Sequence, residues 1–567
     1  MAKVYVKTKK VVDFTSIFKN IASGITGVYV FVILAVFPIY THDKYFDILG
    51  ARYAFFYNFS LWYLCLLLIT LGIAYLIIDY KEGYSSPSAI ERFINAFSFE
   101  NIKKHVRITD VFFAIMIIAM CISTAASGEV MEAAFFGHQG RYQGLQCWFI
   151  YFFVYLAISR TFKFKKMYLD FAIVIGCYAC MWGTADFFYT DTFRFFVNVS
   201  AQQQGMFASS IGNLNTYTNY TIMIFALSGA LYIIEKNQAK SIFYLIAALI
   251  SCTGSIFGLA DNIVLGFFGF FLFAPFFAIK NRRHLLRYLI LADVLLFSLY
   301  LFSIGLKFPH NYWQGSFAQD LVNKSEFIKY SFIPFTLIVI ILAIVFNKLT
   351  PNYDSLVSNK LTPLDSILPK WVLIAYMVFV IVSFLLVTYI LLDVNVFKTN
   401  VQFWRSIFPS SHQLVFNDDW GTHRGHNWRI AFTNFTQNFS WFQRFFGFGP
   451  DTYQIVSRRT FQEEMVRRYG EVYDSAHNEY INYLICEGIV GLTMYLGILI
   501  SGLKKGISSI KNNPYILGPI LAVIAYAVQA VVNIAIPITT PVFFVLLFMC
   551  CADIDYEDET NNVVVTR

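Results

Sequence analysis

One histidine and three arginines carry most of the chemical interest in this chain. His477 stands in Asp474-Ser-Ala-His-Asn-Glu479, Arg141 in Gly140-Arg-Tyr-Gln-Gly144, and Arg424 and Arg429 lie upstream of the histidine. All four sit near the edges of apolar runs. A guanidinium fork matches phosphate oxygens bidentately and keeps its charge at any physiological pH. A neutral imidazole accepts the proton of a hydroxyl. Brought together, these groups would hold a diphosphate and activate an incoming alcohol. Taken singly, an arginine beside an apolar run is an ordinary membrane-interface anchor, so the chemistry requires that they converge. His423 and His426 with Asp418, Asp419 or Asp474 make a competing cation site. Their spacing fits no established ligand motif and the two histidines read as loop residues, so neither metal nor cofactor is expected.

The elements that must position these residues are membrane helices. The chain has 567 residues, of which 57% are hydrophobic and only 14% charged, and its mean hydropathy is +0.57. A soluble domain carries about a quarter charged residues, so lipid is the expected solvent. The 62 phenylalanines and 36 tyrosines suit bilayer interfaces and lipid-facing surfaces. The formal charge of +8 is scattered, with no long Lys/Arg run, which argues against nucleic acid. Apolar runs fall at 20–40, 55–79, 109–127, 144–160, 168–187, 214–234, 241–259, 262–279, 287–305, 330–347, 371–392, 479–501, 515–533 and 539–552. At about 20 residues per crossing they predict an all-α polytopic bundle of roughly fourteen helices.

With the N-terminus inside, most Lys and Arg fall on the inner side and none at the centre of a span. The expected plan is a cytoplasmic N-terminus (1–19), a bundle of about eleven spans (20–392), a large external loop (393–478), three last spans (479–552) and an acidic cytoplasmic tail (553–567). That places the protein in the cytoplasmic membrane with both termini inside. All nine cysteines lie in apolar segments; Cys177 and Cys180 form a C-x-x-C on a helix, which reads as packing. Asp293 and Glu487 are the acids deepest in apolar runs. Asp293 reads as a hydrogen-bonded structural acid, with proton relay the alternative.

The loop carries its own pattern. Its start, Val394 to Trp420, reads as irregular and aromatic. Trp428, Phe432, Phe435, Phe439, Phe442 and Phe446 then recur at steps of three and four, which predicts one apolar helix face opposite Arg429, Asn434, Gln437 and Asn438. Such a helix would lie in the interface plane or on the bundle until Gly447–Pro450 ends it. Ser457 to Tyr469 predicts a second, charged helix.

At His477 the sequence resembles a known family. The run His477-Asn-Glu-Tyr-Ile-Asn-Tyr-Leu-Ile-Cys-Glu-Gly488-Ile-Val-Gly491 is similar to the H-N…G-x-x-G signature of the O-antigen ligase and polymerase superfamily. Arg424-Gly-His-Asn-Trp428, Gly447-Phe-Gly449-Pro-Asp-Thr-Tyr453 and Gly212-Asn213-Leu-Asn215 resemble that family's R-G-x-x-W, G-x-G-x-x-x-(F/Y) and G-N-x-N blocks. Gly140 to Gly144 and Gln529…Pro537…Pro541 stand where the family has similar residues. Thr253-Gly-Ser255-Ile256 lacks the arginine of the family's T-x-S-R, and Trp428 replaces the leucine of the ligase-type R-x-x-x-L.

The resemblance implies a type C, metal-independent glycosyltransferase. Such an enzyme moves a glycan from undecaprenyl diphosphate to a hydroxyl on a glycan, lipid or protein acceptor. His477 would deprotonate or orient the acceptor. Arg424 and Arg141, with Arg429, would bind the diphosphate, and Asn478 and Glu479 would steady the histidine. Trp428, Asn213, Asn215, Gly488 and Gly491 would support the site. Purely structural roles compete for some of these: Gly488 and Gly491 for close helix packing, Glu479 as a helix cap. Two other functions remain open at this point. One is a flippase for lipid-linked oligosaccharide, expected to show two related halves and a charged cavity. The other is a non-catalytic polysaccharide-assembly scaffold.

Overall fold

In a bilayer every backbone N–H and C=O must be satisfied within the chain, and helices do this segment by segment. Every apolar run in the sequence is helical in the computed structural model, which describes residues 14–81, 98–138, 140–311, 316–348, 366–407 and 414–553 together with Glu91, Ile94, Asn95 and Leu364. Most of the expected N-terminal lead and the acidic tail, with Lys3, Lys7, Lys9, Lys10, Arg92, Lys360 and Arg567, lie outside the described residues.

The first seven bundle helices are α1 (Phe14–Phe31), α2 (Ile48–Lys81), α3 (Ile108–Ala126), α4 (Leu145–Thr161), α5 (Met167–Phe187), α6 (Leu214–Ile234) and α7 (Gln238–Phe257). They continue as α8 (Ile263–Phe273), α9 (Arg282–Gly305), α10 (Phe332–Lys348), α11 (Lys370–Leu392), α12 (Gly488–Ser509), α13 (Leu517–Gln529) and α14 (Thr540–Cys551). Among the described residues eleven helices are long and apolar enough to cross a membrane, while α4, α14 and α8 with its continuation are shorter. The chain is a multi-pass, all-α membrane protein. Among the described residues one small hairpin pairs Phe207–Ala208 with Gly212–Asn213 just ahead of α6.

The helix α6 is buried along nearly its whole length, and α13 and α14 are buried beside it, whereas α10 and α11 expose almost every side chain. Lipid is as apolar as leucine, so the centre is fixed by close approach and interhelical hydrogen bonds. Thr218 donates to Asn262 Oδ1 (2.7 Å) and Ser255 to Thr221 (2.7 Å). Gly254 packs on Cys180, where an added Cβ would lie 2.7 Å from the cysteine Cβ. All nine cysteines are free, and the C-x-x-C is a packing surface. Asp293 accepts a hydrogen bond from Thr336 (2.7 Å), a link between α9 and α10.

Two expectations require correction. The second span begins at Ile48 and not near 55, which brings Arg52 inside it. That guanidinium is buried and donates to three carbonyls: Phe37, Pro38 (3.0 Å) and Ser210 (2.7 Å). The first two carbonyls are free because the chain after α1 tightens through Pro38, and the third comes from the hairpin turn ahead of α6, so the charge is met by backbone dipoles. The twelfth span is also not continuous. Glu479–Cys486 is a separate short helix, and α12 starts at Gly488 after a break at Glu487.

The break is made by glycine. Gly488 has φ +70 and Gly447 has φ +79. The loop segment Gly447–Gly449 crosses the broken helix there, with Phe448 N–H donating to Ile485 O (3.1 Å) and Gly449 N–H to Cys486 O (3.0 Å). A Cβ on Gly488 would fall 2.4 Å from the Phe445 carbonyl carbon, and one on Gly447 2.0 Å from the Cys486 oxygen. Gly488→Ala therefore carries both a left-handed backbone and a backbone overlap, and is expected to cost about 2 kcal/mol or more. Gly470→Ala is the control: its φ is +71 but nothing lies within 4 Å, so only the left-handed cost of about 1 kcal/mol applies. Thermal melting of both variants in detergent checks this, and equal shifts would remove the crossing as a structural lock.

Candidate functional site

Because the chain passes back and forth, the loop before α4, the turn between α7 and α8, the start of α6, the end of α13 and residues 393–478 all emerge at one end of the bundle. In the large loop the chain forms Val401–Ile407, Trp420–Thr433, Trp441–Phe446 and Tyr453–Tyr469 as helices. The first is helical where irregular chain was expected, and the last extends the expected charged helix by four residues.

The block Arg424–Trp428 holds the segment that delivers the histidine. Asn427 Nδ2 donates to Ser475 O (2.7 Å) and Trp428 Nε1 to Ala476 O (3.0 Å). Ala476 N–H donates to Asn482 Oδ1 (3.2 Å). Tyr453 donates to Asn427 in turn (2.5 Å to Oδ1). Gly425 is required because the Asn417 carbonyl would meet a Cβ there at 1.8 Å. His477 then sits at φ +49, a conformation unusual for a residue with a side chain. Gly421, Thr422 and His423 are left-handed as well, immediately ahead of Arg424. Left-handed residues of this kind cluster where surrounding structure imposes a functional geometry.

The charges converge. Burial pushes the His477 imidazole down to about 4, assisted by the Arg424 guanidinium and more weakly by Arg141, with Asp474 opposing. The ring is half-buried and stays neutral at physiological pH, free to accept a proton. Arg141 pairs with Asp474 (2.5 Å). Arg424 donates to Gly421 O (2.6 Å); burial lowers its pKa, with Asp261 opposing. The Nε of each arginine is buried with no hydrogen-bond partner among the described residues.

Asp451 is the residue that the sequence reading missed. Its buried carboxylate accepts the backbone N–H of Arg141 (2.6 Å) and of Gln143 (2.9 Å). Gly140 packs against it so closely that a Cβ would come within 2.4 Å. Arg141 is thus held at the backbone by one carboxylate and at the guanidinium by another. Beside its loop, between α3, helix Met131–Phe136 and α4, lies an apolar cavity of about 400 Å³ lined by Cys121, Ala125, Phe135, Phe136 and Leu145. Ile118 and Ile122 of α3 are exposed on the same flank of the bundle.

Other expected site residues have different work. Arg429 pairs with Asp418 (3.0 Å) and Glu464 (2.6 Å), and Arg468 also bonds Asp418. Asp418, His426 and Glu464 do bring ligand atoms within 4.8 Å of one another. The two guanidinium groups already neutralise those carboxylates, holding Asp418 and Glu464 below their usual range. This is an ionic clasp between helices Trp420–Thr433 and Tyr453–Tyr469. Asp474 is committed to Arg141, and Asp419 accepts from Tyr469 (3.0 Å).

Asn478 caps its helix, accepting from Tyr480 N–H and Ile481 N–H (both 3.0 Å). Glu479 turns into the bundle to Tyr495 and Tyr526. Neither steadies the imidazole directly. Asn213 caps α6, while the Asn215 carbonyl accepts from Asn262 (3.1 Å) and Asn533 (3.2 Å). Gly491 packs against Glu487.

The aromatic face is likewise not one helix. Phe439 N–H bonds Asn434 O five residues back, and Ser440 restarts the chain with a reciprocal cap to Gln443. The wide turn rotates the register, so Phe432 and Phe442 are exposed and Asn434 is buried.

Compared with known proteins, the chain matches no protein-family profile and no curated protein.

Burial raises the Asp451 carboxyl to about 7 from 3.8. A carboxyl whose folded pKa exceeds its unfolded one contributes stability at low pH that is lost as pH rises through the folded value. Asp451→Asn is therefore expected to gain stability relative to wild type as pH rises from about 4 to about 7, with a slope of at most about 1.4 kcal/mol per pH unit read from melting curves. A difference that does not change with pH would contradict the assignment.

Proposed function

We propose that the chain is a glycosyltransferase acting on lipid-linked glycan at the external face of a bacterial cytoplasmic membrane. In this reading a glycan is carried on undecaprenyl diphosphate and moved to an acceptor hydroxyl, by polymerising or ligating chains of a surface polysaccharide. The observation that carries the reading is a neutral imidazole flanked by two guanidinium groups, with an apolar cavity beside one of them. Few functions other than chemistry on a lipid phosphate need that combination at the end of a membrane bundle.

In this reading the steps are these. The diphosphate docks on Arg424 and Arg141, whose unpartnered Nε–H groups are further donors, and displaces Asp474 from Arg141. The isoprenoid lies along the apolar cavity beside the Arg141 loop. His477 accepts the acceptor's hydroxyl proton as that oxygen bonds to the anomeric carbon. The bond between that carbon and the diphosphate oxygen breaks, and undecaprenyl diphosphate leaves with its charge met by the arginines. Arg429 is left out of the phosphate set because its fork is spent on Asp418 and Glu464. The arginines supply the positive charge that a divalent cation would otherwise provide.

His477→Ala and Arg424→Ala are each expected to abolish glycan transfer, by about a hundredfold or more, at unchanged protein level in the membrane. Wild-type output from either variant would point to a non-catalytic scaffold. In purified protein the acid limb of kcat/KM should lie near pH 4 and not at the 6.5 of an ordinary histidine. Transfer should survive EDTA; loss that magnesium or zinc restores would overturn the metal-free mechanism.

A further inference from the structure

At the opposite end of the bundle, a second cavity of about 380 Å³ opens between α6, α7 and α9. Its polar wall carries Lys236, Arg283 and Arg287, and its deeper wall carries Leu245, Leu286 and Ile290. No carboxylate lines it among the described residues. Among the described residues Glu235 pairs with Lys166 and Asp170 with Lys240. Arg287 is fixed in the wall, donating to the Tyr232 carbonyl (2.9 Å) and to Glu235 O, with its guanidinium 5.2 Å from the Tyr232 ring centre. Ile242, also in the lining, and Ile246 one turn further along α7 are each half exposed on the lipid-facing flank.

We infer that this cavity binds an anionic glycerophospholipid, with its phosphate among Lys236, Arg283 and Arg287 and its acyl chains running down α7 and α9. The order of groups along the wall is that of a phospholipid: cations at the helix ends, where headgroups lie, then aliphatic side chains at hydrocarbon depth. Its volume is within the ordinary range for small-ligand pockets, roughly 300–1,000 Å³. Basic pockets between helices recognise anionic headgroups, each cation contributing about fivefold in affinity. A water-soluble phosphate would make no use of the aliphatic wall. The site is far from His477 along the bundle and stands or falls independently of glycan transfer.

The test is native mass spectrometry of the delipidated full chain, titrated with phosphatidylglycerol or with phosphatidylcholine of the same acyl chains. Phosphatidylglycerol is expected to bind the tighter. The paired substitution Lys236→Gln with Arg283→Gln, which leaves Arg287 to hold α6, should weaken it by about twenty-five-fold. Lys504→Gln with Lys511→Gln removes the same charge at the same end outside the cavity and should leave binding unchanged. Equal binding of the two lipids, an unaffected cavity variant, or an equal loss in the control pair would each overturn the assignment. So would binding of inorganic phosphate alone at the affinity of the lipid, since the aliphatic wall would then have no role. Unaltered melting of the cavity variant establishes that a loss reflects the site and not the fold.

Discussion

The backbone crossing at Gly447–Gly449 is the constraint on which the site's end of the bundle depends. A helix that ran unbroken from Glu479 to Ser509 would spend the Ile485 and Cys486 carbonyls on its own ladder. The left-handed Gly488 frees them, and the loop takes them up through Phe448 and Gly449. In low-dielectric surroundings an unmet carbonyl is costly, so break and crossing stabilise each other. Once the loop is fixed there, Asp451 two residues on reaches the Arg141 loop, Tyr453 reaches Asn427, and Asn427 with Trp428 orients the chain just ahead of His477. The site is assembled by backbone recognition. The charged side chains are passengers on that frame.

That frame explains how like charges can be kept close together. A histidine beside two arginines would be costly if it were protonated, and burial with both guanidinium groups ensures that it is not. Neutrality leaves its lone pair open, while the lowered pKa makes it a weaker base than an ordinary histidine. The carboxylate of Asp474, paired with Arg141, offsets part of the positive charge of the resting cluster.

Much of this was legible in the sequence, and what escaped has identifiable causes. The apolar runs are helical, eleven of the described helices being long enough to cross a membrane, because composition over about twenty residues is a strong signal when lipid is the solvent. Arg424, Arg141 and His477 come to one end by the parity of the spans, which can be counted from sequence. The aromatic face over Trp428 to Phe446 failed because Ser440 and Gln443, a cap readable in the sequence, outweigh the spacing of six rings. Arg429 looked like its neighbours because nothing in its own segment announces Glu464, thirty-five positions on. Asp451 was hidden in plain view within the Gly447–Tyr453 block; its partners are backbone N–H groups, which no side-chain pattern reveals. Arg52 was placed outside its helix because a buried arginine met by carbonyls alone runs against the usual pairing rule.

The same structure divides the arginines by what each would lose on meeting a ligand. Drawing Arg429 away would break two carboxylate contacts at once, leaving Asp418 with Arg468 and Glu464 with Arg468 (3.6 Å) and His426 (3.1 Å). Arg141 has one carboxylate partner, and Asp474 keeps a third of its side chain in solvent, so water replaces the guanidinium at small cost. Arg424 has a backbone carbonyl and no carboxylate pair among the described residues. A diphosphate of the kind proposed would offer both of these arginines more charge than they hold at rest, and Arg429 less than it would give up. Guanidinium groups that look equivalent in sequence are thereby sorted into those that hold the loop and those that can be given to a substrate. The sorting is done by the number of carboxylates at each and their access to water.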